Sequence, residues 1–365
     1  MSKPKVLILG KLPPPFMGPA IATEIILKSS LGNSFELIHL DTRINSSIST
    51  MGKFSFGKLW LNLKMYFRMF FLLLRFRPSL VLIPISQSKG GYLKDSVFIF
   101  MAAVTGRKIL LHLRGSAFRD LYESSSGFFR SLIRRTLKMS DGVIVLGQNL
   151  RKLFSGLMPE EKIFVVPNGG NYDLPQKVQG GEEIRLLYLS NLMKEKGITD
   201  VLQAAALLKK SGIRFTLSIA GDWLNAETHD ESVKLIGEND LPVTIYPPQN
   251  RESKFRRMAE ADIFLFPPRS PEGHPWVLVE SMASSLPVIA TDMGAIVESV
   301  VDGVNGYIVN PGKPTEIFEK LTYLIKNPQI RQEMSRNSRR LYEEKFTEDR
   351  MVQNLASVFN KILQK

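Results

Sequence analysis

Ten short apolar runs punctuate the chain: KVLILG, LVLIPI, KILLHL, GVIVLG, FVVPNG, RLLYLS, FTLSIAG, VTIYP, DIFLFP and LPVIAT. They are rich in Val, Ile and Leu and lack a polar position at every second residue, the pattern of parallel strands buried on both faces. Helical periodicity falls between several of them, as at residues 200–210 (DVLQAAALLKK) and 277–283. Strand and helix therefore alternate through both halves, which predicts two doubly wound α/β domains. The break between them is expected at residues 171–184 (NYDLPQKVQGGEEI), where Pro, Gly and polar residues interrupt the pattern just before RLLYLS. From about Lys326 onward the chain is polar with a helical period, so closing helices are expected on the outside.

Residues 58–78 (KLWLNLKMYFRMFFLLLRFRP) break this rhythm. At 100° per residue Lys64, Arg68 and Arg75 share one narrow stripe, and nearly all other positions are apolar or aromatic. The uncharged stretch 69–74 is far short of the roughly 20 residues a membrane span requires. Two readings stay open. In one, the helix lies in a membrane interface with Trp60, Phe67, Phe70 and Phe71 in the acyl boundary. In the other it is a core helix with a thin solvent face.

Charge sharpens the contrast between the halves. The 365 residues carry a net charge of +13. Residues 1–180 hold 25 Lys and Arg against 10 Asp and Glu, and the remainder holds 23 against 25. A basic first half calls for an anionic partner there: a membrane surface, a phosphate-bearing substrate or nucleic acid. No nucleic-acid-binding motif is present, so nucleic acid is not expected. With no cysteine and four histidines in no HExxH pattern, disulfides and thiolate metal sites are excluded, and a zinc site is not expected. The start, MSKPKVLILG, has too short an apolar run for a signal peptide, which leads us to expect a cytoplasmic protein.

The candidate chemistry centres on PEGHPWVLVE, residues 271–280. Proline favours the first turn of a helix, so a helix is expected from Pro275, with Glu280 on its second turn and Glu272 in the loop before it. A helix N-terminus beyond the carboxyl end of strand DIFLFP is an address for an anionic ligand such as phosphate. Ionised carboxylates accept hydrogen bonds from paired hydroxyls of a sugar or ribose. The same two acids could instead perform acid and base catalysis on a glycosidic bond, as in a glycoside hydrolase.

The context narrows these options. PEGHPWVLVESMASSLPVIATDMGAIVESVVDGVNGYIV resembles the donor-binding region of the retaining GT-B glycosyltransferases of family 4: a Glu, seven residues, a second Glu, a small-residue helix, then a strand entered through an apolar-Pro-Val-Ile step. Further similarities lie at VLILGKLPPPFMGPAIATEI, VVPNG, LLYLSNLMKEKGITDVLQA and SIAGDW. The resemblance implies a GT-B fold, two doubly wound Rossmann-like domains facing a central cleft. Residues 1–172 would bind acceptor, residues 173–345 would bind nucleotide-sugar, and a last helix at 346–365 would pack back toward the first domain.

The resemblance also implies roles. Glu280 would hold the ribose hydroxyls and Glu272 those of the transferred sugar. Lys196 would neutralise the diphosphate, and main-chain amides around His274, Trp276 and Val277 would face sugar and diphosphate. Gly18 would let the backbone approach phosphate closely. Arg114 stands where the family often has a histidine facing the sugar, with His112 two residues earlier on the same strand face. Asn191 stands where an arginine is common, leaving Arg114 or Arg269 to compensate, and Pro275 stands where glycine is usual. The implied reaction is retaining transfer of a sugar from a UDP- or GDP-sugar to a glycan or lipid-linked glycan, with no metal and no cofactor, in bacterial surface polysaccharide synthesis. Its place would be the cytoplasm or the inner face of the membrane, with residues 58–78 as the contact. The alternatives are a nucleotide-sugar epimerase or a phosphorylase of the same fold, and a basic nucleic-acid-binding protein.

Overall fold

A computed structural model describes residues 3–14, 17–43, 56–178, 180–181 and 183–364, the side chains of 56–59 excepted. Pro15 and Phe16 of the PPPFMG stretch, Gln179 and Glu182 of the linker, and the Lys58 side chain lie outside the described residues. Two compact units emerge: residues 1–170 with 348–365, and residues 171–347.

The first unit runs β1 (Lys5–Gly10), α1 (Gly18–Lys28), β2 (Glu36–Asp41), α2 (Phe56–Phe76), β3 (Leu80–Ile85), α3 (Lys89–Val104), β4 (Lys108–Leu113), α4 (Phe118–Glu123), α5 (Gly127–Met139), β5 (Gly142–Val145) and β6 (Ile163–Val165). Its strands form one parallel sheet in the order β2-β1-β3-β4-β5-β6. Val6 to Leu9, Leu80 to Ile83 and Ile109 to Leu111 are buried, as unbroken apolar runs require when helices cover both faces. Strand order reverses between β1 and β3, and such a reversal opens a crevice at the carboxyl ends of the strands.

The second unit runs β7 (Ile184–Leu189), α6 (Ile198–Lys210), β8 (Phe215–Ala220), α7 (Ala226–Glu238), β9 (Val243–Tyr246), α8 (Arg251–Glu260), β10 (Ile263–Phe266), α9 (Trp276–Ala283), β11 (Val288–Thr291), α10 (Ile296–Ser299), β12 (Gly306–Val309), α11 (Pro314–Lys326) and α12 (Pro328–Lys345). This sheet is also parallel, in the order β12-β11-β10-β7-β8-β9, with its reversal between β7 and β10. One core layer packs Val201, Leu202 and Leu208 of α6 and Ile317, Leu321 and Leu324 of α11 on one face. Another packs Phe255, Met258 and Leu278 on the other. The final helix, α13 (Glu348–Leu363), returns to the first unit, where Phe359 meets Phe35 edge-on at 5.4 Å between ring centroids.

Two strands, β2 and β12, escape the sequence reading of apolar runs, and both are edge strands. Of β2 only Leu40 is buried, so polar residues intrude on the run. The helix expected from Pro275 starts one residue later: Pro275 has φ −65° but an extended ψ of 126°, which makes it the cap and not the first helical residue. In α2 only Met65, Met69 and Leu73 among the described apolar residues are buried, so it is not a core helix. Among the described residues no helix is long and apolar enough to cross a membrane.

Candidate functional site

In the second unit the switch between β7 and β10 brings together the loops that leave these two strands. The loop after β7 carries Asn191, which is exposed, and Lys196. Tyr188 Oη, buried on β7, donates to the Lys196 carbonyl at 3.0 Å and fixes the main chain there. Gly197 then turns with φ +81°, and a Cβ at that position would lie 2.0 Å from the Pro267 carbonyl oxygen. Only glycine allows the first turn of α6 to approach the β10 loop this closely.

The loop after β10 is held from three sides. Thr291 Oγ1 donates to the Pro268 carbonyl at 2.6 Å. The Ala295 amide donates to the carbonyls of Glu272 and Gly273 at 3.2 and 3.1 Å. His274 Nε2 meets Ser299 Oγ at 2.8 Å, and its ring lies 5.2 Å from that of Phe346. The imidazole is thus turned into the core, and burial pushes its pKa down to about 4. Any part His274 takes in ligand binding falls to its main chain. Gly294, at φ +68°, has no room for a Cβ, which would stand 1.7 Å from the Glu272 carbonyl oxygen. A loop pinned in this way keeps its geometry without a ligand, which is what positioning a ligand requires.

Both acids of PEGHPWVLVE face lysines. Glu272 Oε1 accepts from Lys196 Nζ, and Glu280 Oε1 accepts from Lys254 Nζ on α8. Glu280 is 6% exposed and so depends on its partner to offset the loss of water. Lys254 carries no sequence signal: it sits in RESK, which reads as a solvated first turn capped by Asn250, whose side chain accepts from the Ser253 amide at 2.9 Å. A third pair lies alongside. Asp200, fully buried at the start of α6, takes Arg269 through two bonds of 2.8 and 2.5 Å. Arg269 is thereby committed to a carboxylate and is not the free cation that Asn191 leaves wanting. Trp276 and Val277, both half-buried, open α9, which has no side-chain cap. The positive end of its dipole faces the same region.

The remaining predicted residues belong to the first unit. Gly18 is the first residue of α1. His112 near the end of β4 and Arg114 just beyond it line one cavity of about 470 Å³, together with Lys11, Lys94, Asp95 and Phe98. This cavity occupies the first unit's own switch point, beyond β1 and β3. His112 is 4% exposed, and neither of its ring nitrogens has a hydrogen-bond partner among the described residues. Burial, then the charge of Arg114, holds its pKa well below the usual imidazole range. Arg114 donates to the Pro19 carbonyl at 2.7 Å, and burial lowers its pKa to about 10. The predicted residues therefore fall into two clusters: Asn191, Lys196, Glu272, His274, Trp276, Val277 and Glu280 in one unit, and Gly18, His112 and Arg114 in the other.

Comparison with known proteins places this geometry. The family described as glycosyl transferases group 1 matches residues 173–341, nearly all of the second unit. The capsular polysaccharide biosynthesis glycosyltransferase CapM of Staphylococcus aureus is 29% identical over 178 residues, which are 48% of this chain and 46% of that protein. The chain thus aligns with about half the length of that relative. An uncharacterized glycosyltransferase of Methanocaldococcus jannaschii is 25% identical over 76% of this chain and 78% of its own. Among solved structures, Anabaena HepE in complex with UDP superimposes with a TM-score of 0.76 at 17% identity, over 98% of this chain and 100% of that one. This likeness is one of fold, and it makes the fold GT-B.

Proposed function

Because residues 173–341 match the family described as glycosyl transferases group 1, we propose that the chain is a glycosyltransferase. In this reading it moves a sugar from a nucleotide-sugar to a glycan or lipid-linked glycan, with retention of anomeric configuration, in surface polysaccharide synthesis. The observation that carries the proposal is the pair of lysine-held carboxylates, Glu272 with Lys196 and Glu280 with Lys254, flanking the N-terminus of α9 at a topological switch point. Sugar and ribose hydroxyls suit the acids, and a diphosphate suits the lysines and the helix amides. UDP is the first base to test, because HepE has been solved with UDP and with UDP-glucose. GDP is the second.

Each carboxylate is neutralised by its lysine. An arriving diphosphate would draw Lys196 to itself and release Glu272 to the sugar hydroxyls, so one binding event assembles both contacts. As the bond from the anomeric carbon to the diphosphate oxygen breaks, negative charge collects on the leaving phosphate, where Lys196 and the α9 amides stabilise it. The departing oxygen takes the proton of the acceptor hydroxyl on the same face of the sugar while the acceptor oxygen bonds to the anomeric carbon, and no protein nucleophile is involved. Positive side chains and amides supply the charge, so the reaction as proposed needs no metal. The acceptor goes to the cavity of the first unit, where Lys11, Lys94 and Arg114 suit a phosphate-bearing molecule and His112 offers two ring nitrogens that have no partner among the described residues. A lipid-linked acceptor would place the work at the inner face of the cell membrane.

Calorimetric titration with UDP-, GDP- and ADP-sugars tests the donor site. One nucleotide class should bind the wild type. Glu280→Ala should weaken that binding by roughly ten- to a hundredfold, the loss of hydrogen bonds to a charged group. No binding by any donor, or an unchanged affinity in the variant, would sink the proposal.

A further inference from the structure

Helix α2 presents an apolar face to solvent. Trp60 is 71% exposed, Phe67 73%, Phe71 61% and Leu74 53%, on a helix whose opposite face seats Met65, Met69 and Leu73 in the core. At 100° per residue the exposed Phe70, Leu63, Leu74, Phe67, Trp60 and Phe71 fill a continuous stripe roughly 100° wide. Lys64, Arg75 and Arg68 follow directly beside it as a second, basic stripe. The helix contains no acidic residue. An apolar patch of this size is rarely left to water on a monomer.

We propose that α2 docks this protein on an anionic lipid bilayer, lying flat in the interface with its aromatic stripe at the acyl boundary and its basic stripe among the headgroups. Charge decides among occupants. A bilayer with anionic headgroups complements a row of three cations beside an apolar stripe, and it does so along the whole helix, about 30 Å at 1.5 Å per residue. A second copy would bring the same uncompensated cations toward one another. The flank of α2 beside the aromatic stripe also packs against residues of the first unit's cavity wall. Tyr66 Oη donates to the Lys94 carbonyl at 3.3 Å, and its ring meets Phe98 edge-on at 5.1 Å. Lys94 and Phe98 both line that cavity.

The test is co-flotation of the full chain with vesicles of phosphatidylcholine, and of phosphatidylcholine and phosphatidylglycerol in equal parts, with no donor or acceptor present. Its failure would leave the donor-site reading standing. The wild type should float with the anionic vesicles, less so as salt rises. Trp60 emission should shift to the blue, a shift that Trp60→Phe abolishes. The double variants Phe67→Ser/Phe71→Ser and Lys64→Glu/Arg68→Glu alter exposed positions, so their thermal midpoints should match the wild type. Each should reduce partitioning at least tenfold. The idea fails if the wild type does not float or if a folded double variant floats equally well. It fails too if the wild type binds no vesicles and is a dimer that Phe67→Ser/Phe71→Ser converts to a monomer.

Discussion

Buried imidazoles make this protein sensitive to acid. His274 sits in the core against Ser299 and Phe346 with its pKa lowered to about 4, and His112 is shifted the same way. In the unfolded chain each histidine takes a proton near pH 6.5, whereas the folded protein refuses it. Their contribution to stability is therefore complete above pH 6.5 and is lost as pH falls toward 4, by about 3 kcal/mol for His274 alone. In denaturant titrations between pH 7 and pH 4, His274→Gln, which keeps a donor for Ser299, should show a shallower loss of stability than the wild type. Equal slopes would mean that His274 is not held neutral. At this scale the sequence shows the residues whose partners lie in one motif or whose spacing matches a family, as with Glu272, Glu280 and Lys196. It does not show Lys254, because the carboxylate that gives that lysine its meaning lies 26 positions further along the chain on another helix.

Elements are legible where burial is symmetrical. Strands covered on both faces, such as β1, β4 and β10, appear as unbroken apolar runs, whereas β2 exposes a side to solvent and mixes Glu36, His39 and Asp41 into its pattern. The close approach of the Lys196 turn to the β10 loop is hidden for another reason: a glycine in KEKG predicts a turn, not the carbonyl that the turn must pass. Gly197→Ala should cost about 3 kcal/mol, since it adds left-handed strain to a clash with the Pro267 main chain. Gly212→Ala has a similar φ of +74° but nothing within 4 Å, and should cost only about 1 kcal/mol. Chemical denaturation of the two variants separates strain from contact, and equal losses would show that the close approach to Pro267 is not tight.

At the scale of the whole molecule, the two sheets follow from the alternation of strand and helix, but the route of the chain's last helix does not. Burial of Leu355, Phe359 and Ile362 ties α13 to the first unit, each side chain worth about 2 kcal/mol. Their sum is comparable to the entire stability of an ordinary domain. A chain ending at Thr347 should lose the first unit's cooperative transition in calorimetry while keeping that of residues 171–347, and trypsin should degrade the first unit selectively. Two intact transitions would show that α13 is dispensable. The same connectivity orders events on the ribosome. Residues 171–347 are contiguous and can close their core as soon as they emerge. Most of the first unit is made before the second but must wait for a helix translated after the entire second unit, so the earlier-made of the two units is the later to be finished.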